Sequence, residues 1–203
     1  MSQSITTKIM LSTRNAGKAR EFAKFFAELG WEVEPLPADA PEVIEDGDTF
    51  AANAIKKAEQ ISRQYHRPAL ADDSGLEVDA LDGRPGVYSA RYSGENATDA
   101  SNNEKLLREL QGVPPEQRTA RFISAIALAR PGHETIVAFG TVEGEVLEAP
   151  RGEGGFGYDP LFLLPSAGKT LAELPIEHKN RISHRAHAMR NLIDMLKAEQ
   201  GAE

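Results

Sequence analysis

Apolar residues recur along this chain in helical and strand periods. Lys8-Ile9-Met10-Leu11-Ser12 is a short apolar run that predicts a buried strand. After the polar turn Thr13-Arg14-Asn15-Ala16-Gly17-Lys18, Phe22, Phe25, Phe26 and Leu29 follow at helical spacing, with Gly30 as a stop. Trp31 to Leu36 alternates and predicts a second strand. Past an acid- and proline-rich loop over 37–47, Phe50, Ala54, Ala58, Ile61 and Tyr65 mark one face of a second helix, capped by Asp48 or Thr49. Pro68-Ala69-Leu70-Ala71 predicts a strand ending in Asp72-Asp73-Ser74-Gly75, with a short strand and a Gly-Arg-Pro-Gly turn over 76–86. A helix capped by Asp99 turns Leu106, Leu107 and Leu110 inward. Arg121 to Ala129 and Thr135 to Val142 predict paired strands about Pro131-Gly132, and 143–149 extends them. Ile182, Met189, Ile193 and Leu196 stripe a last helix, from about 181 to 198.

Strand-helix-strand-helix-strand at the start predicts parallel pairing, and the consecutive strands in the middle predict an antiparallel extension. The fold class is therefore α/β with a mixed sheet. The sequence shows no repeat, low-complexity stretch or long linker. Its 203 residues suit one domain, or two lobes sharing a sheet.

Composition narrows the function. A net charge of -8 argues against a nucleic acid polymer as partner, because counterion release rewards a basic surface. A local basic pocket can still take a small anion. The sequence contains no cysteine, which excludes disulfides and thiolate metal sites. No apolar signal region follows Met1 to Lys8, and no run approaches the roughly 18 apolar residues of a membrane span. The expectation is a cytoplasmic protein with no membrane partner.

Several segments could carry chemistry. Thr13 to Lys18 joins a strand to a helix, where backbone N–H groups and the helix dipole favour an anion, although it also suits an ordinary turn. Asp72 and Asp73 are expected at the C-terminal end of a strand, where open α/β sheets hold ligands. Adjacent aspartates repel, so burying them needs a cation or donors. Oxygen ligands suit Mg2+, with Glu45 or Asp46 as a further carboxylate; Asp-Asp-Ser-Gly is equally good turn chemistry. Asn53 and Lys57 share a helix face near that acid loop, so Lys57 either reaches a phosphate or is solvated. Residues 177–185 are rich in Lys, Arg and His, and a position at a helix start is unfavourable for cations. Phosphate or a base explains them better than helix stability, with a solvated face as the alternative. Gly154 to Pro160 permits close backbone approach, with Phe156 and Tyr158 as stacking rings and Asp159 as an acceptor.

These motifs occur in an order that is itself informative. Ser12 to Lys18, Thr49-Phe50 with Asn53-Ala54 and Lys57-Ala58, Ala71 to Leu76, Pro85 to Arg91, Gly154 to Pro160, and Ser183-His184-Arg185 span nearly the whole chain. In this the chain resembles the inosine triphosphate pyrophosphatase family, the enzymes that clear inosine and xanthosine triphosphates. One position departs from the family pattern: Ala52 stands where a glutamate usually precedes the asparagine, which leaves the metal to Glu45 and Asp73.

The resemblance implies an elongated mixed sheet flanked by helices, two lobes with a central nucleotide-binding cleft, and commonly a homodimer. It implies Mg2+-dependent hydrolysis of ITP, dITP and XTP to the monophosphate and pyrophosphate. Asp73 is then the proton acceptor and, with Glu45, a metal ligand. Thr13, Arg14, Asn15, Ala16, Gly17, Lys18 and Lys57 are phosphate contacts. Ser74, Phe156, Gly157, Tyr158, Asp159, Lys179, His184 and Arg185 are substrate contacts, with donors from His184 or Arg185 aimed at the 6-keto oxygen that adenine lacks. The competing readings are a pyrophosphatase for another nucleotide and a non-catalytic nucleotide sensor.

Overall fold

The computed structural model describes residues 8–28 and 30–200. Its elements are β1 (Lys8–Leu11), α1 (Ala16–Glu28), β2 (Glu32–Pro35), α2 (Phe50–Tyr65), β3 (Ala69–Val78), α3 (Asp99–Glu109), β4 (Thr119–Ala129), β5 (Ile136–Val146), β6 (Phe162–Leu164), β7 (Lys169–Thr170), α4 (Ile176–Ile182) and α5 (His184–Gln200). One seven-stranded sheet runs in the order β2-β1-β3-β4-β5-β6-β7. β1 pairs parallel with both β2 and β3, as the pattern predicts, whereas β5 with β6 and β6 with β7 are antiparallel. Among the described residues, no helix is long and apolar enough to cross a membrane.

The chain forms two compact units. The first comprises the described residues up to Asp73, Ala125–Ala138 and those from Met189 onward. Its core draws on Ile9 to Leu11, Ala54, Ala58, Ile61 and Ala69 to Ala71, all buried. Near-continuous burial of short apolar strands is what parallel pairing demands. Phe22 and Phe26 of the expected helix stripe are buried, and Phe26 stacks on Trp31 at 5.7 Å. Leu29 and the Phe25 side chain lie outside the described residues. α2 begins where Thr49 is extended and its hydroxyl accepts from Ala52 N at 3.1 Å; it ends at His66, which turns left-handed at φ 51°.

The second unit comprises Ser74–Ser124 and Phe139–Ala188. Leu76, Val78, Leu106, Leu110, Phe122, Tyr158, Phe162 and Leu171 meet in its core. α3 is capped by Thr98, which replaces the expected Asp99. Thr98 Oγ1 accepts from Ser101 N and Ser101 Oγ from Thr98 N, so a complete capping box lies one residue earlier. Gly140 on β5 lets the first turn of α5 approach backbone to backbone. A Cβ there would fall 2.2 Å from both Ala188 N and His184 O.

The structure corrects the sequence reading at further places. β3 does not end at Asp72; it runs through Asp72-Asp73-Ser74-Gly75 to Val78, so both aspartates stand within a strand. Their turn propensity yields to ladder pairing and to side-chain partners that hold the buried carboxylates. The last helix is broken at Ser183, whose backbone is extended and whose Oγ accepts from Ala186 N at 3.2 Å, capping α5. Lys179 and Arg181 therefore lie in the last turn of α4, where cations suit the dipole, whereas His184 and Arg185 open α5. β6 and β7 were not predicted, being three and two residues long and too short to show a period.

Candidate active site

In the first unit, alternation along β3 gives each aspartate its own partners. Asp72 is 1% exposed, and its Oδ1 lies 3.1 Å from Lys18 Nζ, in the first turn of α1. Asp73 Oδ2 accepts from Asn53 Nδ2 at 2.9 Å. Asn53 is fully buried on α2, and its Oδ1 accepts from Gly47 N at 2.8 Å. A backbone N–H can only donate, so Gly47 fixes Oδ1 towards itself and leaves the amide NH2 for Asp73. The loop must pass close for this: a Cβ on Gly47 would lie 2.7 Å from Asn53 Oδ1.

Lys57 is buried one turn further along α2. Its Nζ donates to Glu45 Oε1 at 2.5 Å and to the Asp72 carbonyl at 2.7 Å. The solvated alternative for Lys57 is thus excluded. Burial pushes the Asp73 carboxyl above the usual carboxylate range; Lys57, Lys18 and the Asn53 hydrogen bond oppose this, and the charge of Glu45 adds to it. Half-buried Glu45 adds to the cost of ionising buried Asp73, so the two are a donor pair that a hard divalent cation would relieve. Mg2+ typically uses one or two carboxylates together with substrate phosphates, so Glu45 and Asp73 fit it.

The loop before α1 is ordered by its own side chains. Thr13 Oγ1 accepts from Asn15 N at 3.1 Å, and Asn15 Oδ1 accepts from Lys18 N at 3.0 Å, which caps α1. Arg14 Nη2 donates to the Ala40 carbonyl. Ala16 and Gly17 open the helix, with Gly17 buried and Ala16 exposed.

In the second unit Lys179, Arg185 and Asp159 gather around Phe156. Lys179 Nζ lies 4.5 Å and Arg185 Cζ 5.2 Å from its ring centroid. Lys179 and Asp159 form a buried pair at 2.7 Å, and the same Asp159 oxygen accepts from Phe156 N at 2.9 Å. Arg185 Nη2 donates to Ser74 Oγ at 2.8 Å. His184 is buried and stacks on Phe122, with centroids 4.9 Å apart and planes at 13°. Tyr158 departs from expectation. Its ring is 5% exposed in the core and its hydroxyl donates to the Ser89 carbonyl at 2.7 Å, so of the two expected stacking rings only Phe156 is half-buried rather than in the core.

Sequence reasoning missed Asp99 and Asn103 as loop contacts. Asp99 Oδ2 accepts from Gly157 N at 2.8 Å, and Asn103 Nδ2 donates to Gly157 O at 3.0 Å. Their i, i+4 spacing was visible, but it looks like any solvated helix face. Asn53 was recognised only as a neighbour of Lys57; nothing local signals its partners at Gly47 and Asp73.

Removing the Asn53 amide should be costly. In Asn53→Ala, Gly47 N–H and one Asp73 oxygen lose their partner inside the protein, a penalty of about 1–3 kcal/mol. A thermal melt should fall by several degrees, at roughly 2–4 °C per kcal/mol for this chain length. An Asn53→Ala protein that melts with the parent would show that this amide does not hold the two groups together.

Ammonium groups beside buried carboxylates suit polyphosphate bound with a cation, and a cation-backed ring in a glycine loop suits a flat heterocycle. Fold and side chains together define an α/β protein equipped for a phosphorylated, ring-bearing small molecule. The chain belongs to the Ham1 family, whose model matches residues 9–195. It is 62% identical over 187 residues to a dITP/XTP pyrophosphatase of Geobacillus kaustophilus, covering 91% of this chain and 92% of that one. It is 54% identical over 193 residues to a dITP/XTP pyrophosphatase of Geobacter sulfurreducens, covering 94% and 96%. Among solved structures, the Staphylococcus aureus Ham1 protein matches with a TM-score of 0.84 and 43% identity, covering 95% of this chain and all (100%) of that one. A nucleoside-triphosphatase / dITP/XTP pyrophosphatase from Mycobacterium abscessus matches at 0.74 and 41%, covering 92% and 98%. The family and the fold class inferred from the ordered motifs are thereby borne out.

Proposed function

We propose that this chain hydrolyses noncanonical purine nucleoside triphosphates (ITP, dITP and XTP) to the monophosphate and pyrophosphate. The observation that carries this reading is Asp73, a buried carboxylate held by the NH2 of Asn53, with Lys57, Lys18 and Glu45 close enough to perturb it. The names of its relatives, dITP/XTP pyrophosphatase, support the same substrates.

In this reading Asp73 orients a water and accepts its proton as the water oxygen attacks the α-phosphorus. The bond to the bridging oxygen breaks, and pyrophosphate leaves with the electron pair. Lys18 and Lys57 offset charge on the phosphate oxygens, and the opening of α1 at Ala16 and Gly17 presents N–H groups to them. Glu45 and Asp73 would hold Mg2+, which supplies further positive charge against those oxygens. Ala52 is exposed at the start of α2 and brings no carboxylate. Phe156 stacks the base, with Lys179 and Arg185 close to its ring. Donors on His184 or Arg185 reject adenine, because a site built for an acceptor leaves its polar groups unpaired against a donor. The same reading takes the enzyme as Mg2+-dependent, cytoplasmic and homodimeric, without membrane or nucleic acid polymer as partner.

Pyrophosphate release from a panel of triphosphates, with Mg2+ or EDTA, tests it. ITP, dITP and XTP are expected to exceed ATP and GTP widely, and EDTA to abolish release. A flat or pyrimidine-preferring panel would remove the base account. A protein that hydrolyses nothing, yet melts higher with ITP, would be a sensor.

A further inference from the structure

The glycine loop is gripped by α3 at one residue, and that grip is two-handed. Gly157 gives its N–H to Asp99 Oδ2 and its carbonyl to Asn103 Nδ2, at 2.8 Å and 3.0 Å. Asp99 and Asn103 are four apart on α3, so they present one face to one residue. Helix stability does not account for Asp99 doing this. The capping box of Thr98 and Ser101 already serves the start of α3, and the Asp99 carboxylate reaches outward to a residue 58 positions away.

Gly157 is where a grip matters. It is left-handed at φ +62°, and Gly155 at φ +72° flanks the other side of Phe156. Glycine loses the most backbone freedom when it is ordered, so a ring between two such hinges is poorly aimed unless the hinges are fixed. Asp159 holds the N-terminal side through Phe156 N, and Tyr158 anchors the loop to Ser89 beyond Gly157. Asp99 and Asn103 hold the Gly157 hinge itself.

We infer that Asp99 and Asn103 are positioning residues that aim the Phe156 ring at a flat heteroaromatic base, and so contribute to base affinity without touching the base. This rests on the reading of Phe156 as the stacking ring. Four variants separate the two ideas: Asp99→Ala/Asn103→Ala, Asn103→Ala alone, Asp99→Asn and Phe156→Ala. KM and kcat for ITP are measured, with inorganic pyrophosphate as an inhibitor that reports on the phosphate side alone. The double variant should raise KM about 5–30-fold, the scale of losing one or two net hydrogen bonds, with kcat and pyrophosphate inhibition held. Asp99→Asn, which keeps an acceptor for Gly157 N, should recover most of the loss.

Amide exchange gives a second readout if the double variant is poorly stable. Gly157 N–H should exchange faster in Asp99→Ala relative to the buried Leu106 amide, and unfolding alone would accelerate both. A KM unchanged in the double variant but raised in Phe156→Ala overturns the positioning role and leaves the base reading intact. An unchanged KM in Phe156→Ala overturns both. Unchanged Gly157 exchange in Asp99→Ala overturns the grip itself.

Discussion

Asp73→Asn is expected to stop turnover while leaving the metal-free protein at least as stable as its parent. The loss should be about 10²–10⁴-fold, the usual contribution of a positioned proton acceptor. The stability half follows from the pKa direction. Burial raises the Asp73 carboxyl in spite of Lys57, Lys18 and Asn53, so in the fold its charged form is held at a cost. A carboxyl whose folded pKa lies above its unfolded value stabilises while protonated. That contribution is complete below the unfolded pKa, and it disappears as pH rises through the folded one. Above the folded pKa the parent therefore carries an ionised, partly desolvated carboxylate that the amide does not. In EDTA, Asp73→Asn should melt at or above the parent temperature, and the gap should close as the pH falls into the carboxylate range. Near-normal pyrophosphate release by this variant would remove Asp73 from the chemistry. A lower melting temperature would mean that the lysines gain more from the charge than burial costs.

Gly140→Ala should be among the most damaging single methyl additions to this chain. Its added carbon would lie 2.2 Å from Ala188 N and from His184 O, and 2.8 Å from His187 Cβ. Two of these neighbours are backbone atoms of a helix, which cannot rotate away as a side chain could. The helix must shift, and His187 resists this, with Nδ1 2.7 Å from the Thr141 carbonyl. Overpacking of this kind costs about 1–3 kcal/mol and occasionally more. A fall of roughly 5–10 °C or insoluble expression is expected from calorimetry and yield, at about 2–4 °C per kcal/mol. Because His184 and Arg185 stand in the displaced turn, protein that folds should also discriminate ITP from ATP less well. A melting temperature within a degree of the parent would show that α5 has room to move off β5.

The parts legible in the sequence are those fixed by local periodicity. The Phe22 and Phe26 stripe and the α2 face through Ile61 came from spacing alone, because burial of one face imposes a period, and residue type narrowed the α2 cap to Asp48 or Thr49. The order of the motifs carried the family. What was not legible depends on partners far along the chain. Asp72-Asp73-Ser74-Gly75 has turn composition, and partners distant in sequence, Lys18, Asn53 and Lys57 among them, hold it as a strand. Tyr158 looks as suitable for stacking as Phe156 until Ser89 claims its hydroxyl. Ser183 did carry a local signal, a capping residue before His184, but the surrounding run of cations drew the reading towards a single helix.

The placement of the two aspartates within β3 has a consequence for how this protein can vary. Side chains on a strand alternate between faces, so one residue gained or lost between Ala69 and Asp72 would turn each aspartate to the face the other now occupies. Ala69, Leu70 and Ala71 are all wholly buried, and such a run has little to distinguish one register from the next. The slip would put the partner of Lys18 where the partner of Asn53 belongs. Length in this stretch is therefore under tighter constraint than identity: a lineage could exchange its small apolar residues for others, yet could not absorb an insertion or deletion of one.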